Sequence, residues 1–92
     1  MITRSSAIKS TELALKETES RLLAAPTYGV YIHAKQQLEL MLSALKKQPL
    51  PSQSARYFVD IGLMAAKELE ASDPNYADVL MLADYEFKLA EL

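Results

Sequence analysis

Apolar residues recur three and four positions apart along most of the chain. This is the period of an α-helix that buries one face. Residues 6–24 repeat at Ile8, Thr11, Leu15, Thr18 and Leu22, and residues 28–47 at Tyr31, Ala34, Leu38, Met41 and Leu45. Residues 53–71 repeat at Ala55, Phe58, Gly62, Ala65 and Leu69, and residues 74–91 at Tyr76, Leu80, Ala83, Phe87 and Ala90. Prolines punctuate the segments at Pro26, at Pro49 and Pro51, and at Pro74. Lys46-Lys47 suit the negative end of the second helix. Ser52 is a candidate N-cap for the third, and Asp73 for the fourth, with Pro74 at a first helical position that needs no N–H. No segment alternates with period two. The pattern predicts an all-α fold, a compact antiparallel bundle of about four helices forming a single domain over residues 1–92. Gly62, Ala65 and Ala66 predict a close approach between the third helix and its neighbours.

Composition fits a globular chain: 92 residues, 50% hydrophobic and 24% charged. The absence of cysteine excludes a disulfide framework and a thiolate metal site. No apolar run reaches the roughly 18 residues of a membrane span. The segment Met1–Ser6 lacks the apolar stretch of a signal peptide, so a soluble, cytoplasmic protein is expected. A net charge of −2 argues against a nucleic-acid binder. The charge is uneven, however. Residues 1–54 carry a net of +3 and residues 55–92 a net of −5, an asymmetry able to steer a charged partner.

Reactive chemistry is sparse. His33 is the single histidine. It falls on the second helix opposite Leu38, where a solvent-exposed side chain is expected. There is no HExxH, ExxH or EF-hand motif, and Gly29 and Gly62 are too isolated for a phosphate-binding loop. No strand–turn–helix context exists to expose a serine nucleophile. Neither catalysis nor a bound metal or cofactor is expected.

Several residues recur in an order and spacing known elsewhere: Arg21-Leu22, Pro26, Tyr28, Val30, Ala34, Gln37-Leu38 and Leu45. They lead into Gly62-x-x-Ala65-x-Lys67-Glu68, four further residues, Asp73-Pro74, and then Leu80, Ala83 and Tyr85. Over residues 20–86 the chain resembles the small helical immunity proteins encoded beside type VI secretion effectors that destroy NAD(P). Residues 1–19 and the C-terminal tail do not match clearly, and Asp84 stands where an aromatic is expected. The resemblance implies an all-helical, non-catalytic protein. Its partner would be the toxin domain of a cognate effector in the producing cell, and binding would block access to the toxin's substrate site. The pair Lys67-Glu68 would be either a toxin contact or an internal ion pair.

Helical-wheel arithmetic, at about 100° per residue, gives an independent reading of the surface. It places Tyr57, Asp60, Met64 and Lys67 outward on the third helix. Asp78, Met81, Tyr85 and Lys88 fall outward on the fourth, and His33, Gln36 and Leu40 on the second. Tyrosine and methionine are favoured at protein interfaces, so Tyr57, Asp60, Met64, Lys67, Asp78, Met81 and Tyr85 are the candidate partner-binding residues. Acidic Asp60, Asp78 and Asp84 would oppose basic groups on the partner. The same exposed residues would also serve a helical adaptor or chaperone, or a homodimer.

Overall fold

The computed structural model describes residues 1–91. Four α-helices follow one another: α1 (Arg4–Ala24), α2 (Gly29–Leu45), α3 (Ile61–Glu68) and α4 (Pro74–Leu89). A short 3-10 turn, Ser54–Arg56, precedes α3. α1 lies between α2 and α4, and α3 packs chiefly on α4. The α1–α4 pairing is antiparallel. Thr18 meets Tyr76, Arg21 meets Asp73 and Ser6 meets Glu86, while the backbones of Arg4 and Glu91 join at the far end. The expected all-α bundle is the observed one.

α1 buries a line of small residues, Ala7, Thr11, Ala14 and Thr18. The expected stripe contained Thr11 and Thr18 but placed Ile8, Leu15 and Leu22 beside them, and those three are only half-buried. Small side chains let α2 and α4 come close to the α1 backbone, and the larger ones flank the seam. Each buried threonine donates to the carbonyl four residues back, at 2.8 Å, so no hydroxyl is stranded. Thr18 also shares a 2.6 Å hydrogen bond with the Tyr76 hydroxyl.

The end of the bundle near Pro74 is tied by Arg21. Its Nε donates to Asp73 Oδ2 at 2.7 Å, and its guanidinium lies 4.2 Å from the centre of the Tyr76 ring. This hydrogen bond holds the Asp73 carboxyl below its usual range. Asp73 was expected to cap α4 through its side chain. It makes no such bond and pairs with Arg21 instead. Pro74 does occupy the start of α4 as expected.

The third segment departs most from its periodicity. A continuous helix over 53–71 was expected, yet only Ile61–Glu68 is α-helical. Arg56 turns inward, almost fully buried, and its Nη1 donates to the Phe87 and Ala90 carbonyls at 2.7 and 2.9 Å. That tie caps the C-terminal end of α4, and residues 54–60 stand outside any α-helix. Ser52 Oγ accepts from Ala55 N–H, and Ser52 lies one residue ahead of Gln53, the N-cap of the 3-10 turn, so it caps no α-helix. Ala55 and Phe58 are exposed, while Val59 and Ile61 enter the core.

Candidate functional site

The surface on either side of α3 is built from the 57–60 bend, α3 itself and the outer face of α4. Tyr57 does not lie on the third helix, as the wheel had it, but just before it, and it is 57% exposed. Tyr85 on α4 is 56% exposed. With Met81, Leu89 and Lys88 they wall an open groove of ≈ 430 Å³, whose remaining lining is Gly62 and Asp84. Lys88 Nζ lies 5.7 Å from the centre of the Tyr57 ring.

A second, smaller concavity of ≈ 220 Å³ flanks α3 and is lined by Asp60, Leu63, Met64, Lys67 and Glu68. Asp60 is exposed, and its Oδ1 lies 2.7 Å from His33 Nε2. Its backbone N–H donates to the side chain of Gln37, a buried glutamine on α2, at 3.0 Å. His33 is thus half-buried and engaged with Asp60, not freely solvated as expected. The α2 residues Gln36 and Leu40 do face outward.

The candidate residues therefore separate. Tyr57, Met81 and Tyr85 share the larger groove, and Asp60, Met64 and Lys67 share the smaller. Asp78 is exposed on α4 and lines neither. Met64 and Met81 are half-buried and pack against the core, so each shows only part of its side chain. Lys67 and Glu68 are both exposed and do not pair with each other.

Asp84 departs furthest from its expected place. Expected among the outward acids, it is 6% exposed. Its Oδ2 accepts from Gly62 N–H at 2.7 Å and its Oδ1 pairs with Lys88 Nζ at 2.7 Å. Gly62 is where the close approach occurs: a Cβ there would stand 2.8 Å from Asp84 Oδ2. Of the small residues expected to pack, Ala65 is buried but Ala66 is exposed. Leu63 was not singled out from the sequence. It is 61% exposed on α3 and borders the smaller concavity. Its signal was present: a helix begun at Ile61 with Ala65 inward turns Leu63 to solvent.

Among the described residues, no group of three or more His, Asp or Glu side chains gathers as a metal site. Nor is any helix among them long and apolar enough to cross a membrane. Four helices and a tyrosine-walled groove define a small all-helical bundle protein. The family model for Tsi6 matches residues 6–89, and the chain belongs to the Tsi6 family. The match therefore takes in most of α1, beyond the residues 20–86 that carried the resemblance in the sequence. The structure of Tsi6 from Pseudomonas aeruginosa is similar, with 31% identity and a TM-score of 0.80 over 88% of this chain and 83% of that one. A chain in the structure of Tse6 in complex with Tsi6 is similar at 29% identity and a TM-score of 0.79, over 89% of this chain and 86% of that chain. No curated protein sequence matches the chain.

Proposed function

We propose that this chain is the immunity protein of a type VI secreted toxin. It would bind the toxin domain of its cognate effector in the cytoplasm of the producing cell and cover that domain's substrate site. Tsi6 is seen in complex with Tse6, and the residues of this chain resemble immunity proteins of NAD(P)-destroying effectors, so a toxin of that chemistry is the partner proposed here. The observation that carries this reading is likeness over most of both chains to a chain in the Tse6–Tsi6 complex.

The surface around α3 supports the mode of binding. Tyr57 and Tyr85 offer large, rigid apolar faces with hydroxyls for a polar rim. Asp60, Glu68, Glu70, Asp78 and Glu91 are the exposed acids of residues 55–92, and Lys67 is the exposed base. A pocket that holds a dinucleotide must meet a diphosphate with positive groups. An acidic surface complements such a rim, and a folded domain seated across it excludes substrate sterically. In this reading Tyr57, Asp60, Met64, Lys67, Asp78, Met81 and Tyr85 form the contact region, with Leu63 added. No chemistry by the immunity protein is required.

The test is co-expression with the toxin domain of the neighbouring effector. Growth and cellular NAD(P) are expected to be restored by this chain and not by an unrelated helical bundle. Toxicity that persists at equal expression, with no complex recovered, would refute the pairing. The purified chain alone is expected to leave NAD(P) intact. Turnover that vanishes in His33→Ala would make it an enzyme instead.

A further inference from the structure

α3 starts without help from its own cap. Asp60 precedes the helix but makes no side-chain cap bond, and its carboxylate is turned to His33. An amide of the first turn, Gly62 N–H, is instead met from another helix, by Asp84 of α4 at 2.7 Å. First-turn amides have no partner within their own helix, and a carboxylate placed there also meets the positive end of the helix dipole. The second oxygen of the same carboxylate pairs with Lys88 at 2.7 Å, and the Lys88 ammonium lies over the ring of Tyr57. One buried carboxylate thus ties α4, the start of α3 and the bend that carries Tyr57. All four residues line the larger groove.

We propose that Asp84 is the positioning residue of the binding surface. It touches the partner little, being 6% exposed. It acts through Lys88, whose ammonium it holds over Tyr57, and through Gly62, whose missing side chain gives the carboxylate its place. Tyr57 is more than half exposed and stands outside any regular helix. Left alone, such a side chain samples several rotamers and loses that freedom on binding, which weakens affinity. The Asp84–Lys88 pair restricts it beforehand.

This inference rests on the binding surface proposed above, and the experiment separates the two. Asp84→Asn keeps the shape and an acceptor for Gly62 N–H but removes the charge that holds Lys88. Lys88→Met is the companion variant, keeping the apolar stem and leaving the Asp84–Gly62 bond in place. Calorimetry with the neighbouring effector's toxin domain is run on each, alone and combined with Tyr57→Ala, beside thermal melts. Each variant alone is expected to weaken binding about tenfold. In the Tyr57→Ala background each should add less than about twofold, because residues that act as a unit are not additive. A general loss of structure would instead weaken both backgrounds equally. Such an additive loss overturns the proposal, as does wild-type affinity in Asp84→Asn and Lys88→Met while Tyr57→Ala is impaired. Wild-type affinity in Tyr57→Ala itself removes that side chain from the interface and overturns the relay, while the rest of the surface is judged by Tyr85→Ala.

Discussion

Gly62 and Asp84 show what one residue contributes and what the sequence discloses of it. The helical stripe through Gly62, Ala65 and Leu69 pointed to a close approach at Gly62. The neighbour that approaches, an aspartate 22 positions later, could not be read from local pattern. A Cβ at Gly62 would stand 2.8 Å from Asp84 Oδ2, 3.0 Å from its carboxyl carbon and 3.1 Å from its Cβ. That side chain is short and already held at both oxygens, so it has little room to yield. Gly62→Leu is expected to lose about 1–3 kcal/mol of stability through overpacking, in spite of better helix propensity. An unchanged or higher melting temperature would contradict this. Asp73 yields a second prediction. Arg21 holds its carboxyl below the usual value, so the pairing stabilises the fold fully above the unfolded aspartate pKa of about 4. The contribution is lost as pH falls through the lower folded value. At neutral pH Asp73→Asn should cost about 1–2 kcal/mol, the scale of a charge-assisted hydrogen bond. Denaturant titrations from pH 7 to pH 2 should show the difference from wild type shrinking only in the acid limb. A gap that stays constant to pH 2 would mean the ionised pair contributes nothing.

Helices with their own start and stop signals were legible, and the one shaped by distant partners was not. α2 and α4 fall close to their expected bounds, because the Pro26 break and Pro74 at a first helical position act locally. In α1 the expected helix forms, but the seam belongs to Ala7 and Ala14 rather than Ile8 and Leu15. Apolar periodicity weights large side chains, whereas close helix contact selects small ones. Residues 53–60 keep a helical period yet stand outside α3, where Arg56 turns to the carbonyls of Phe87 and Ala90. A basic residue between Ala55 and Tyr57 carries no local sign of that destination. If this tertiary tie sets both the end of α4 and the bend at Tyr57, Arg56→Ala should cost about 2–3 kcal/mol, as expected for hydrogen bonds from a charged donor. Arg56→Lys should recover only part of it, since an ammonium lacks the fixed fork of the guanidinium. Urea unfolding of the three proteins is the measurement. Equal midpoints would show that Arg56 follows the bend rather than causing it.

Across the whole molecule, the bundle measures 37 × 21 × 19 Å and carries its exposed acidic excess on the side built from residues 55–91. Folding tempers the asymmetry visible in the chain but keeps its sign. Asp84 and Asp73 are spent on internal pairs with Lys88 and Arg21, and Glu86 on the hydroxyls of Ser6 and Ser10. The acids left at the surface flank α3 and the outer face of α4, so affinity and association rate should be separable there. Tyr57 and Tyr85 are each more than half exposed, and neither supports the core. Their alanine variants should melt within a few degrees of wild type. Truncating an interface anchor typically costs at least about 2 kcal/mol of binding, some thirtyfold in Kd. Neutralising Asp60 and Asp78 should act differently, slowing association and flattening its salt dependence with little change in dissociation. Asp78 is the cleaner probe, because Asp60 also holds His33. Surface-plasmon kinetics against the toxin domain at two ionic strengths, beside thermal melts, distinguish these effects. If Asp78→Asn changes only the dissociation rate, the acid is a direct contact and not part of a steering field. If neither tyrosine variant weakens binding, the partner sits elsewhere, and the exposed Leu40 face of α2 becomes the surface to vary next.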